Sequence, residues 1–279
     1  MTPRGTGSRL RELGAVGAGT AARFEHTAAG RFLHAFVAMR AVDRALALAS
    51  KLFIAVFPIS ILSTALISGQ SFGDQIVERF GLSGAGAQAA RTLFAAPAQV
   101  QTGIGLLGLL ILTSSAFSFT RALERTYLDC WQLPPAGATA LRDRLSWLAA
   151  FVVVLAAVST VHAAVSAADA PATIFVFTAL AGSAFFLWTP YVLLGRRVAW
   201  RRLVPTALLT GSGLVALGIG SAIVMPELVS HNTVRYGLIG FTFSVVSWLF
   251  CTALLVVSTA ILGAVLDGEP EMQGRFWDA

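Results

Sequence analysis

Lys51 is the one Lys or Arg lying inside any of the long apolar runs of this chain, so it is where membrane chemistry is most readily sought. Five residues past Leu46, it would stand about 8 Å inside a helix that enters lipid there, at ~1.5 Å of rise per residue. Two arrangements answer the cost of that charge. Its stem can snorkel to the headgroups, or its ammonium can face a cavity and bind an anionic substrate group. The next run carries Thr113, Ser114, Ser115, Ser118 and Thr120 toward the same membrane side, close to Arg121. Together these could form a polar vestibule, although helical Ser and Thr also bond back to their own backbone. Pro58 falls in the middle of the first run, where a missing N–H kinks a helix or opens a pocket beside it. Arg196-Arg197 and Arg201-Arg202, with Trp200 between them, are placed to gather anionic headgroups at a membrane surface. Tyr236, like Trp147, Trp188, Tyr191 and Trp200, reads as an interfacial anchor.

Other chemistries are poorly served. His26, His34, His162 and His231 have no ligand-like spacing, so no metal and no cofactor is expected. Cys130 and Cys251 are separated by placement and compartment, which argues against a disulfide. Gly103, Gly105 and Gly108 spell a dinucleotide-type motif, but no strand precedes them and an apolar helix follows, so close helix packing is the better reading. Ala207, Gly211, Ser212, Ala216 and Gly220 repeat that small-residue theme. Phosphodiester hydrolysis would need a metal cluster or a positioned acid and base. Glu124, Asp129 and Asp143 instead alternate with Arg121, Arg125, Arg142 and Arg144, the pattern of salt-bridged helix ends. The chain is therefore not expected to be an enzyme.

Six apolar stretches must position these residues: Leu46–Ser68, Gly103–Phe119, Leu145–Val165, Ala172–Leu194, Leu203–Val224 and Gly237–Leu266. Each approaches the roughly 20 residues that cross a hydrocarbon core about 30 Å thick. They do not alternate polar and apolar residues, which excludes a closed β-barrel. Charged residues make up 12% of the chain and hydrophobic ones 56%, with a mean hydropathy of +0.75, far from a soluble domain. The expected fold is an all-α integral membrane protein, a six-transmembrane-helix bundle. Residues 1–45 form an Arg-rich leader, 46–266 the membrane domain and 267–279 a short tail. In the leader, Phe32, Phe36 and Met39 recur at helical spacing, as in a helix at the interface or packed under the bundle.

Arginine sets the orientation. The leader holds seven Arg, the Thr120–Arg144 loop four, the Gly195–Arg202 loop four and the tail one, sixteen in alternate compartments. The Gln70–Thr102 and Met225–Tyr236 loops hold two and one, and the turn at Asp169 none. Lys and Arg are retained in the cytoplasm, so both termini belong there. The net charge of +6 follows from this bias and from attraction to anionic lipid, and no nucleic-acid partner is expected.

Several motifs resemble the YihY/virulence factor BrkB family of bacterial inner-membrane proteins, some of whose members were long labelled ribonuclease BN. They are Val56-Phe57-Pro58; Ser115-Ala116 followed by Arg121-Ala122-Leu123 and Tyr127; Arg197, Val198, Trp200, Arg201 and Pro205; and Tyr236, Gly237 and Gly240 with Trp248-Leu249. The resemblance runs from about Leu46 to Asp267. Ser50-Lys51 replaces an aromatic pair of the family pattern, and the Asn usual before the tyrosine is missing around Arg125 and Thr126. The resemblance implies six helices with both ends cytoplasmic, and links with envelope integrity, serum resistance and lipid export. The expected function is transport or lipid translocation in the cytoplasmic membrane, with membrane lipids as partners. The alternative is a non-transporting scaffold that recruits envelope or division partners through its loops.

Overall fold

The computed structural model describes residues 27–66, 71–94, 104–135, 137, 139–166 and 171–268. Among them every regular element is a helix: α1 (Ala28–Ala38), α2 (Ala41–Leu66), α3 (Phe72–Phe80), α4 (Gly84–Leu93), α5 (Ile104–Cys130), α6 (Ala140–Ser166), α7 (Pro171–Leu193) and α8 (Trp200–Leu266).

α8 is a hairpin, although its helical hydrogen bonding is nearly continuous. Gly237 adopts φ 60°, ψ −139° inside it, a region closed to side chains with a Cβ. The chain reverses there. Thr210 and Thr259 share a hydroxyl–hydroxyl hydrogen bond of 2.8 Å, Asn232 donates to Ser244 Oγ at 2.8 Å, and Arg202 pairs with Asp267 at 3.1 Å where the two arms end. A Cβ on Gly263 would run into Thr206 Oγ1, and one on Gly240 into the Asn232 carbonyl. The arms therefore meet backbone to backbone, as small residues permit.

The remaining long helices pack in antiparallel sequence. Arg44 reaches Asp129 while Lys51 reaches Ser118, so α2 and α5 run in opposite directions. Phe119 against Trp147 with Glu124 against Arg144 does the same for α5 and α6, and Trp147 against Thr189 with Phe151 against Phe185 for α6 and α7. A Cβ on Gly211 would stand 2.9 Å from Ser183 Oγ, which fixes the close approach of α7 to the first arm of α8. Among the described residues, α8 is long and apolar enough to cross a membrane.

Several expectations need correction. The stretch Met225–Tyr236 is no loop, because α8 runs through it and buries Met225, Val229 and Thr233 on one face. The Gln70–Thr102 connection contains α3 and α4, which lie on the hairpin through Phe80 against Trp248 and Phe94 against Phe241. Trp248 is partly buried against the core and also meets Phe80 of α3. Trp147 is no interfacial anchor; it is buried in the aromatic core, its indole N–H donating to Thr189 Oγ1 at 3.0 Å. Of the small residues on α8, Ala207 and Gly211 are buried at contacts, whereas Ser212 and Ala216 are exposed and Gly220 faces open space. Pro205 lies in the second turn of α8, which begins at Trp200. In the leader, α1 buries Met39 and packs Phe32 and Phe36 on the core, the arrangement of a helix tucked under the bundle. Gly103 lies outside the described residues.

Candidate functional site

The α2–α5 seam carries the polar residues singled out in the sequence. Ser114, Ser118, Arg121 and Arg125 recur at i, i+4, i+7 and i+11 along α5, which places them on one helical face. Ser114, Arg121 and Arg125 are exposed, and Ser118 is half-buried. From α2, the half-buried Lys51 donates to Ser118 Oγ at 3.1 Å. A Lys ammonium has three donors. Its remaining two have no carboxylate among the described residues, whose ion pairs lie elsewhere.

Depth follows from the register. The Arg44–Asp129 pair of 2.6 Å marks the rim, and Lys51 is seven residues further along α2, or about 10 Å at ~1.5 Å per residue. Ser115 is a half-buried neighbour of the stripe, and Pro58 lies within α2, its side chain outside what the structure describes. The hydroxyls of Thr120 and Thr126 bond back to the carbonyls of Ala116 and Ala122 and are consumed locally.

At the rim, most charges are paired. Arg144 holds the buried Glu124 across α5 and α6 and covers the Phe117 ring. Arg197 is a clasp: its guanidinium donates to Leu194 O at 3.1 Å and Pro134 O at 2.9 Å, joining two connections. Arg201 lies over the Trp200 ring, 5.6 Å from its centre, with both side chains exposed. Burial pushes the Cys130 thiol up to about 12 and the Tyr127 phenol well above its ordinary range, because the charged forms lose water. Neither is a nucleophile at neutral pH. No group of three metal-binding side chains occurs among the described residues.

Lys51, Ser114, Ser118 and Arg121 are thus brought together, with Ser115 beside them. Arg197, Trp200 and Arg201 share the rim but not the stripe. Tyr236 is at the opposite end of the first α8 arm, 36 residues from Trp200 and so about 54 Å away along a helix. Arg125 completes the stripe and was signalled by its spacing from Arg121 alone.

The described residues form helices throughout, and one of them, the α8 hairpin, is long and apolar enough to cross a membrane, which suits a helical membrane protein. The family model of virulence factor BrkB matches residues 32–277. The chain belongs to that family. No match is found among the curated proteins or the solved structures compared.

Proposed function

We propose that this chain is a six-span protein of the bacterial cytoplasmic membrane, both termini in the cytoplasm, that moves anionic lipid along the α2–α5 seam. α2, α5, α6, α7 and the two arms of α8 supply six antiparallel passes, and an even number returns the chain to its starting side. The described arginines gather at one end, beside Arg44, Arg121, Arg144, Arg197 and Arg202, which the retention of positive charge assigns to the cytoplasm.

The observation carrying the transport reading is Lys51: among the described residues it is a cation held by one neutral hydroxyl, at a depth where an unpaired charge is costly. An anionic headgroup would supply the missing counter-charge. Lipid is favoured over a soluble solute because the seam's polar face is exposed, whereas Phe119, Trp147, Phe151 and Phe185 fill the space between α5, α6 and α7. A headgroup can follow Arg125, Arg121, Ser118 and Lys51 while its acyl chains stay in the bilayer. In this reading the protein is not an enzyme, since Glu124 and Asp129 are tied to Arg144 and Arg44. The exposed Trp200–Arg201 pair favours a second reading, a rim that docks a protein partner on a non-transporting scaffold.

Vesicles containing the protein and fluorescent phosphatidylglycerol, bleached from outside by dithionite, separate the two. Translocation above protein-free vesicles is expected, falling about tenfold in Lys51→Ala and Arg121→Ala, as the loss of a charge-assisted contact of ~1.4 kcal/mol implies. No movement by the native protein overturns the transport reading and leaves the scaffold.

A further inference from the structure

Beyond the seam, the second arm of α8 presents an apolar row that is exposed toward its tip and packs on the core at Phe250. Ile239, Phe243, Val246 and Phe250 recur at i, i+4, i+7 and i+11, one apolar row from the hairpin tip downward. Ile239 is 79% and Phe243 66% exposed. Their neighbours Leu238 and Tyr236 are exposed as well. We infer that this row is seated in the outer leaflet, with α3 and α4 lying beside it at headgroup level, so that the tip and its helical cap form a lipid-embedded face rather than a projection into water.

Length argues for it. From Gly237 to Leu266 the arm has no Asp, Glu, Lys or Arg over 30 residues, about 45 Å at ~1.5 Å per residue. The hydrocarbon core is about 30 Å thick, but core plus both headgroup layers is about 40–45 Å. An upright second arm whose Asp267 pairs with Arg202 at the inner surface therefore places Gly237 among the outer headgroups, and the first arm, 34 residues from Arg202 to Tyr236 or about 51 Å, must lie at a steeper tilt to reach the same tip. On the other arm, Glu227 is the first charge after Arg202, 25 residues on, or about 37 Å, which is where the outer hydrocarbon boundary then falls.

The cap lies across that level. Phe80 of α3 meets Trp248 with ring centres 5.2 Å apart, and Trp248 is 19 residues from Asp267, about 28 Å above the inner rim, so this end of the cap dips below the headgroups into the hydrocarbon. Phe72 and Phe94 carry that apolar contact on to Phe241. α4 turns the opposite way, exposing Gln88, Arg91 and Thr92 over an open hollow lined by Gly84, Ala87, Gln88, Arg91 and Thr92. One apolar face and one polar face are what a helix at the interface requires. The occupant of the row is lipid because the same row continues, without a polar interruption, into the segment that crosses the bilayer.

This inference rests on α8 crossing the membrane, and the experiment keeps the two claims apart. Single cysteines replace Ile239, Phe243 and Gln88 in a Cys251→Ser background, carry an environment-sensitive nitrobenzoxadiazole dye, and are studied in phosphatidylcholine–phosphatidylglycerol vesicles. A parallel sample is labelled at native Cys251. Nitroxide-bearing lipid is expected to quench the dye at 239 and 243 at least threefold more strongly than iodide does, with the order reversed at 88. Quenching by iodide at 239 and 243 equal to that at 88 overturns the inference, and so does protection from both quenchers, which would mean a protein covers the row. Dye at Cys251 that lipid fails to quench would instead remove the crossing helix itself.

Discussion

Glu124 is 3% exposed and faces an Arg144 that is 19% exposed, whereas Asp43 and Arg40 form a pair out in solvent. The two should behave differently under the same truncation. Glu124→Ala leaves a guanidinium in a dry site and is expected to destabilise the protein by about 3–5 kcal/mol, while Asp43→Ala removes a screened pair worth under about 1 kcal/mol. Thermal unfolding in detergent micelles compares them, and equal shifts would refute the contrast. Cys130 provides a second residue-scale prediction. With its thiol pushed up to about 12, the reactive thiolate is nearly absent at pH 8 and grows only as the pH climbs toward that value. Mass spectrometry after iodoacetamide treatment at pH 8 should therefore find Cys130 unmodified in the folded protein and alkylated once it is unfolded.

At the scale of elements, the α8 hairpin depends on where glycine stands rather than on how much there is. An alanine at Gly237 would have to hold φ 60°, ψ −139°, a strain of about 1–3 kcal/mol. At Gly263 it would press on Thr206, whose Cα would lie 3.0 Å from the new methyl. Gly220 has open space around it, so alanine there should stabilise by up to about 1 kcal/mol through helix propensity. Unfolding of the three variants should rank Gly220→Ala above the native chain and the other two below; a destabilised Gly220→Ala would contradict the hairpin packing. The long helices were readable because α5, α6, α7 and both arms of α8 coincide with apolar runs. The short ones were obscured: α3 has nine residues and α4 ten, and three glycines at 73, 84 and 86 dilute their pattern. Their signal was local, since Ser71 and Asp74 form a reciprocal capping box at the start of α3. Likewise Glu227, His231 and Arg235 looked like a loop, but Met225, Val229 and Thr233 keep a helical period and are the residues buried. The partnership of Lys51 with Ser118 was not legible, because the register of α2 against α5 is decided by tertiary contacts such as Arg44 with Asp129.

At the scale of the molecule, arginine placement and helix pairing make independent demands on the topology, and the proposed six-pass arrangement is one that meets both. Antiparallel contacts between α2, α5, α6, α7 and the first α8 arm carry the 131–139 connection, the Gly195–Arg197 turn and Asp267 to one end. The cap formed by α3 and α4 is carried to the other end, with the hairpin tip. The first end holds Arg121, Arg125, Arg142, Arg144, Arg196, Arg197, Arg201 and Arg202; the second, among described residues, holds Arg79, Arg91 and Arg235. Each Lys or Arg that must cross during insertion adds about 2.5–3.5 kcal/mol at mid-membrane, so inverting this arrangement would carry the heavily charged end through the bilayer. A membrane-impermeant maleimide applied to intact cells should therefore modify Gln88→Cys on the exposed face of α4 and spare Gly137→Cys in the 131–139 connection, both in a Cys251→Ser background. Permeabilised cells should show both modified. Labelling of Gly137→Cys from outside would mean that the arginine-rich end faces outward, and it would move Lys51 and the α2–α5 seam to the wrong side for lipid arriving from the cytoplasmic leaflet.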